Sequence, residues 1–313
     1  ALEALVVGVG NQQVSSYMAY VQANAAEAVR KVIETLNDRA FSVELDNGAK
    51  LCLQLSIDKY QRTARLDFTG SSTQGSDNFQ APLAVTKAAV LYVFRCLVKD
   101  PIPLNAGCFE PLELIVPKGC LLNPRPPAAV VAGNVETSQA LCNLLFGALG
   151  VMAASQGTMN NLTFGDSENQ YYETVAGGSG AGEGFDGADG MQTHMTNSRL
   201  TDPEIIEQRY PVRLELFALR RGSGGQGQWR GGDGLLRQFR FLTPMTASIL
   251  SGSRRVAPFG LQGGLPGSLG ANQLERVNGN REALKGCATM NIKAGEALLI
   301  CTPGGGGYGE LRD

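Results

Sequence analysis

Polar side chains able to do chemistry concentrate in residues 155–199 of this sequence, SQGTMNNLTFGDSENQYYETVAGGSGAGEGFDGADGMQTHMTNSR. The only histidine of the chain, His194, lies there, with the amides Asn160, Asn161 and Asn197 and the acids Glu173, Glu183, Asp186 and Asp189. An unperturbed imidazole titrates near neutral pH, which suits it to general acid or base work, although a lone histidine also commonly serves as a hydrogen-bonding scaffold. Glycines interleave these groups, and glycine allows positive φ and close backbone approach, as a binding loop requires. A second polar group, GNVETSQ at 133–139, brings Asn134, Glu136, Thr137 and Ser138 to the expected start of a helix. Its side chains either cap orphan amides or leave that helix end free to meet an anionic substrate.

The residue count argues against several other chemistries. With one histidine and no CxxC pair among seven cysteines, zinc and thioredoxin-type sites are not expected. A carboxylate-only magnesium or calcium site at Glu183, Asp186 and Asp189 stays open, although EGFDGAD lacks the EF-hand pattern. The run GGSGAGEG has no following Lys-Ser or Lys-Thr and no strand–helix frame, so it is not read as a nucleotide loop. Cys108 in LNAGCFEP is the best candidate thiol nucleophile, with burial as packing the competing reading. A net charge of −2 with interspersed signs offers no field for nucleic acid or an anionic membrane. No run approaches the roughly 20 apolar residues that span a bilayer. The odd cysteine count and the absence of a signal peptide suit a reducing, cytoplasmic setting, and the missing initiator Met suggests a fragment.

The elements that must position these groups follow from periodicity. Apolar residues at helical spacing predict a helix over 11–38, and further helices over 85–98 and from Val135 or Glu136 to about Ala154. Asn47-Gly48 between alternating runs predicts a hairpin, with a third strand at 64–70 and a buried strand at 112–117. Pro203, with Asp202 as N-cap, starts a short helix. Strands are then expected at 210–220, in LLRQFRFL, TASILSGSRR and KGCATMNIK, and in EALLICT. The sum is an α+β chain: a helix-containing first half with a mixed or antiparallel sheet, and a β-rich, glycine-rich second half. Two parts, 1–154 and 155–313, are expected to pack as one continuous unit.

Ten motifs carry a resemblance: LDFTGSS, QAPLAVT, PLNAGCF, LLNPRPPAAVVAGNVETSQ, ASQGTMNN, YYET, THMTNSR, EQRYPV, GSGGQGQWRGGDG and TPGGGGYG. In this order, from about Leu66 to Gly309, they resemble the hydantoinase B/oxoprolinase family. That resemblance implies ATP-dependent opening of a cyclic amide, 5-oxoproline or a hydantoin, with a B-type portion acting on the activated ring. It further implies an A-type ATP-binding part, fused or separate, an oligomeric assembly, and ATP and a divalent metal in the complete enzyme, neither bound by this chain. The His/Asp-rich cluster near the family's N-terminus has no counterpart here. A piece of an acetone- or acetophenone-type carboxylase subunit is one alternative, and a non-catalytic scaffold docking the ATP-binding part is another. For that chemistry, local composition makes His194, Glu173 and Glu136 the catalytic candidates, with Glu173 or Glu136 orienting water. Asn134, Asn160, Asn161, Asn197 and Arg199 are the substrate-binding candidates, Arg199 through a bidentate grip on a carboxylate.

Overall fold

The computed structural model describes residues 1–311. Helix α1 (Leu2–Val9) and helix α2 (Asn11–Thr35) are separated by Gly10, whose φ of 88° breaks the helical path. Residues 2–9 carry no helical expectation from the sequence, yet they form a helix. In α2 the buried residues are Ala25, Ala26, Ala28, Val29 and Ile33, so only its C-terminal part anchors it to the core.

The first sheet is β1 (Arg39–Glu44), β2 (Lys50–Asp58), β3 (Thr63–Asp67) and β4 (Leu112–Ile115), in that spatial order. β1 and β2 form the hairpin read from Asn47-Gly48, with Glu44 opposite Lys50 and Gly48 at φ 85°. β2 alternates as a half-buried strand should, sending Leu51, Leu53 and Leu55 inward. β4 lies parallel to β3, and the connection between them contains α3 (Leu83–Leu97). Helix α4 (Ser138–Leu149) packs on β1 and β2 and against α3. It ends earlier than Ala154 because Gly150 takes the left-handed conformation (φ 73°) and its N–H caps the last carbonyls. One turn of π-helix, Gly133–Thr137, precedes it.

Residues 155–199, expected as a glycine-rich loop, contain two strands, β5 (Asn161–Gly165) and β6 (Gln170–Thr174). After α5 (Pro203–Arg209), with its Asp202 cap, come β7 (Val212–Arg220), β8 (Gly234–Phe241), β9 (Met245–Leu250), β10 (Ala271–Glu275), β11 (Arg281–Leu284), β12 (Cys287–Ile292) and β13 (Ala297–Cys301). They form two antiparallel sheets, ordered β11-β10-β13-β8-β7 and β12-β9-β5-β6. The α+β class therefore holds, with a mixed sheet first and antiparallel sheets after it.

Apolar burial falls into two clusters. One joins α2, α3, α4 and the first sheet through residues such as Val29, Leu53, Phe68, Phe94 and Leu145. The other joins the two later sheets through Leu162, Phe164, Phe239, Phe241, Ile249 and Ile300. Between strands, glycine-rich segments lie backbone against backbone. Gly178 and Ala181, three apart, donate to Pro303 O and Gly306 O, also three apart, at 3.0 Å each. That is the period of a polyproline-II helix. Gly305 donates to Gly232 O and Gly232 to Ser179 O, both at 2.9 Å, so the layers are stitched laterally. A Cβ at Gly178 would collide with Gly232 O, and one at Gly305 with Ser179 O. Here glycine serves close packing of main chains, and most of these residues are buried. No helix among the described residues is long and apolar enough to cross a membrane.

Candidate functional site

The larger cavity, about 750 Å3, opens between the two halves of the chain. The β1–β2 hairpin with Asp46 and the π-turn and α4 residues Glu136 and Asn143 line one side. Residues 251–259, after β9, and 284–287, between β11 and β12, line the other. The extra residue per turn of a π-helix shifts side-chain direction locally, and such turns recur at functional sites. Glu136, within this turn, is 3% exposed.

Glu136 Oε1 accepts three hydrogen bonds, from Thr158 Oγ1 (2.9 Å), Met159 N (3.1 Å) and Asn161 Nδ2 (2.9 Å). Its Oε2 is buried and has no partner among the described residues. Beside Oε2 stands Gly252, where a Cβ would approach to 3.1 Å. Burial pushes the Glu136 carboxyl up to about 8, against the opposing pull of its Thr158 and Met159 hydrogen bonds and the Arg254 charge. At neutral pH the group is therefore mainly a neutral acid. With Oε1 saturated by donors, its proton belongs on Oε2, which becomes a free donor at the cavity, as the unpartnered Arg254 Nε also is.

Arg254 is held by Asn160 Oδ1 (2.7 Å), Gly252 O (2.6 Å) and Asn272 Oδ1 (2.9 Å). Burial lowers its pKa to about 10, with the charges of Glu136 and Asp46 opposing, so it stays cationic at neutral pH. Asp46 clasps the two sides of the cavity together. Its carboxylate accepts the N–H groups of Arg254 (2.7 Å), Arg255 (3.0 Å) and Val256 (2.9 Å). Asn160 sits at φ 46° and donates to Gln156 Oε1 (2.7 Å) and Val175 O (3.0 Å), which fixes its oxygen toward Arg254.

His194 lines a second cavity of about 480 Å3 with Tyr92, Cys96, Phe146, Phe185 and Gln192. The ring stacks on Phe146 (centroids 5.3 Å apart) and meets the edge of Tyr92. Its Nε2 lies 3.0 Å from Asn143 Oδ1 and its Nδ1 3.4 Å from Tyr92 Oη. The Asn143 amide is oriented by Ser155, donating to Ser155 O (3.1 Å) and accepting from Ser155 N (3.0 Å). Oδ1 is thus the acceptor, and Nε2 carries the imidazole proton. Burial holds the His194 pKa far below its ordinary value, to about 3, so the ring is neutral at physiological pH. Asn143 lines the larger cavity, so the Asn143–His194 pair forms part of the partition between the two.

The structure thus brings Glu136, Asn160 and Asn161 together and sets the other candidates apart. Glu173 lies in β6, 5% exposed, in a bidentate pair with the fully buried Arg237 (2.7 and 3.0 Å). It lines neither cavity, because β6 turns it into the core beside Tyr171, whose hydroxyl donates to it at 2.7 Å. Asn134 faces outward from the π-turn, which leaves its side chain exposed, while its carbonyl accepts from Ser138 Oγ. Asn197 and Arg199 are exposed and line neither cavity. Among Glu183, Asp186 and Asp189, the two aspartates hold glycine segments: Asp186 accepts from Arg230 N, and Asp189 from Arg230 Nη2 and Asp233 N. Among the described residues no three His, Cys, Asp or Glu side chains converge as a metal would need, and no metal step is assigned to this chain. Sequence reasoning missed Arg254, Asp46, Thr158 and Asn143. The twin arginines of SGSRR carried a signal, since a polar, cationic end is poorly suited to continue a buried strand, and β9 indeed stops at Leu250.

Relatives place this architecture. The chain is 47% identical to 5-oxoprolinase 1 of Arabidopsis thaliana over 99% of its own length and 26% of that protein's. It is 43% identical to the 5-oxoprolinase of Saccharomyces cerevisiae over 95% of its length and 25% of the other's. It therefore spans about a quarter of the curated oxoprolinases it matches. In fold it is similar to a nucleotide-free acetone carboxylase (TM-score 0.84, 17% identity, 98% of this chain and 50% of the other). It is also similar to an ATP-dependent caprolactamase from Pseudomonas jessenii (TM-score 0.81, 21% identity, 99% and 58%). With the family match extending over residues 1–311, the chain belongs to the hydantoinase B/oxoprolinase family.

Proposed function

We propose that this chain is part of the B-type portion of an ATP-dependent cyclic-amide hydrolase, acting on 5-oxoproline or a hydantoin ring in the cavity headed by Glu136. The observation that carries the reading is the buried, unpartnered Oε2 of Glu136 at a cavity built from both halves of the chain. The oxoprolinase relatives support the reaction class. An A-type ATP-binding part, fused or separate, supplies activation of the amide, and parts 1–154 and 155–313 work as one unit because each contributes a wall of the cavity.

Ring opening adds the oxygen of water to the carbonyl carbon as a water proton passes to solvent, goes through an oxyanion and breaks the C–N bond, after which the departing nitrogen needs a proton. A neutral carboxylic acid in an apolar setting suits the last demand. Glu136 Oε2–H hydrogen-bonds the ring and gives its proton to the departing nitrogen, while Thr158, Met159 N and Asn161 hold Oε1 and stabilise the resulting carboxylate, which takes a proton back from solvent before the next turnover. Arg254 adds fixed positive charge nearby, which favours both oxyanion and carboxylate.

In the complete protein, Glu136→Gln keeps size and loses the transferable proton. Ring opening, followed as amino acid released from 5-oxoproline, should fall about 10²–10⁴-fold. The wild type should also lose activity as pH rises through about 8, where Glu136 deprotonates. Unchanged ring opening in the variant would leave the chain as a scaffold for the ATP-binding part. A requirement for bicarbonate would instead favour a carboxylase, the reaction named for the acetone carboxylase that shares this fold.

A further inference from the structure

The two candidate rings differ in charge: 5-oxoproline carries a carboxylate, and the hydantoin ring itself is uncharged at neutral pH. Arg199, the residue expected to read a carboxylate, is exposed and outside the cavity. Besides Arg254, two other cations line it. Arg255 and Lys285 are exposed at its rim, one from the segment after β9 and the other from the β11–β12 connection. Arg255 is oriented by Asp46, whose carboxylate takes its N–H and whose carbonyl takes its Nη1 at 2.7 Å. Among the described residues neither Arg255 nor Lys285 makes an ion pair.

The charges facing the cavity are Arg254, Arg255 and Lys285 against Glu44 and Asp46, with Glu136 able to remain neutral. Asp46 is already committed to three main-chain donors, so it is a weak competitor for the rim cations. The cavity thus carries surplus positive charge on a chain whose net charge is −2. A concave site focuses such a field on a small ligand.

We propose that Arg255 and Lys285 are specificity-determining residues that hold the carboxylate of an anionic cyclic amide whose ring faces Glu136. The inference rests on the cyclic-amide reading above. It makes the cavity selective by charge: an anionic five-membered lactam is preferred to a neutral lactam of the same size.

The test is calorimetric binding of 5-oxoproline and of neutral 2-pyrrolidone to the complete protein, which needs no turnover. The double variant Arg255→Gln/Lys285→Gln should weaken 5-oxoproline binding about 10–100-fold, the loss of two charge-assisted contacts. Affinity for 2-pyrrolidone should change less than about twofold, within the effect of an exposed uncharged substitution. The charge-conserving Arg255→Lys/Lys285→Arg pair should retain the preference and guards against a folding defect. Added salt should weaken 5-oxoproline binding in the wild type more than in the double Gln variant. Equal loss for both ligands, an unchanged affinity for 5-oxoproline, or no binding of 5-oxoproline to the wild type overturns the proposal. Loss of ring opening in Glu136→Gln alongside unchanged 5-oxoproline affinity in the double Gln variant sinks only the anion assignment. Charge-selective binding alongside intact ring opening in Glu136→Gln sinks only the catalytic one.

Discussion

Replacing Glu173 with Gln separates a structural carboxylate from a catalytic one. In the folded chain Arg237 is 0% exposed, and among the described residues Glu173 supplies its only carboxylate, at 2.7 and 3.0 Å. The guanidinium also rests 4.9 Å from the ring centres of Phe217 and Phe239, and its Nη1 has no hydrogen-bond partner among the described residues. Glutamine preserves shape but leaves that cation buried without an anion, which typically costs about 3–5 kcal/mol. At 1.4 kcal/mol per decade, amides that exchange only by unfolding of this region should exchange about 10²–10⁴-fold faster. Hydrogen exchange of the complete protein, read at β6 and β8, measures this directly. Arg237→Met alone should be similarly damaging, whereas Glu173→Leu/Arg237→Met should cost less than the sum of the singles, because no lone charge remains. Ring opening per folded molecule should stay within a few-fold of wild type in Glu173→Gln. Unaltered exchange together with abolished ring opening would refute the reasoning and return Glu173 to the catalytic set.

The other expectations concern the second cavity and the glycine layers. His194 has a folded pKa depressed to about 3 against an ordinary 6.5, so the unfolded chain takes up the proton first as pH falls. Its neutral form contributes stability that is complete above about pH 6.5 and is lost progressively toward pH 3. His194→Gln should flatten that part of the stability–pH curve in thermal melts, and an unchanged slope would contradict the burial argument. Gly178→Ala, which drives a methyl into Gly232 O, should destabilise by about 3 kcal/mol or more. By contrast, Gly222→Ala, at φ 79° with open space around it, should cost about 1–2 kcal/mol. Melting temperatures of the two variants rank them, and the reverse order would show that the layers can separate.

Elements with a strong local signal were legible from residues alone. Asn47-Gly48, the alternation of Leu51, Leu53 and Leu55, and the Asp202-Pro203 start are short-range patterns, and each appears as expected. Gly150 stops α4 before the apolar periodicity does, so periodicity alone overruns the helix end. β5 and β6 were hidden because Asn160, Asn161, Tyr172 and Glu173 made the stretch look polar. In the fold those polar groups are satisfied by one another and by Glu136, Gln156, Arg237 and Arg254. Arg254 and Asp46 come from positions 208 apart, and no local pattern can announce a contact of that separation.

Glycine marks a different boundary between pattern and meaning. In residues 155–199 its density suggested a loop open to ligand, yet Gly178 and its neighbours are buried against Gly232 and Gly305. Main chains that approach this closely satisfy their polar groups mutually and leave little room for a substrate between them. What the layers provide is support. Ala154, which lines the cavity, receives the N–H of Gly306, and Gln156, two residues on, donates its N–H to Gly178 O. From there the chain passes directly to Thr158, Asn160 and Asn161, which hold Glu136 and Arg254. The proposed site sits at the edge of the glycine-rich stretch, whose interior is occupied in holding that edge still.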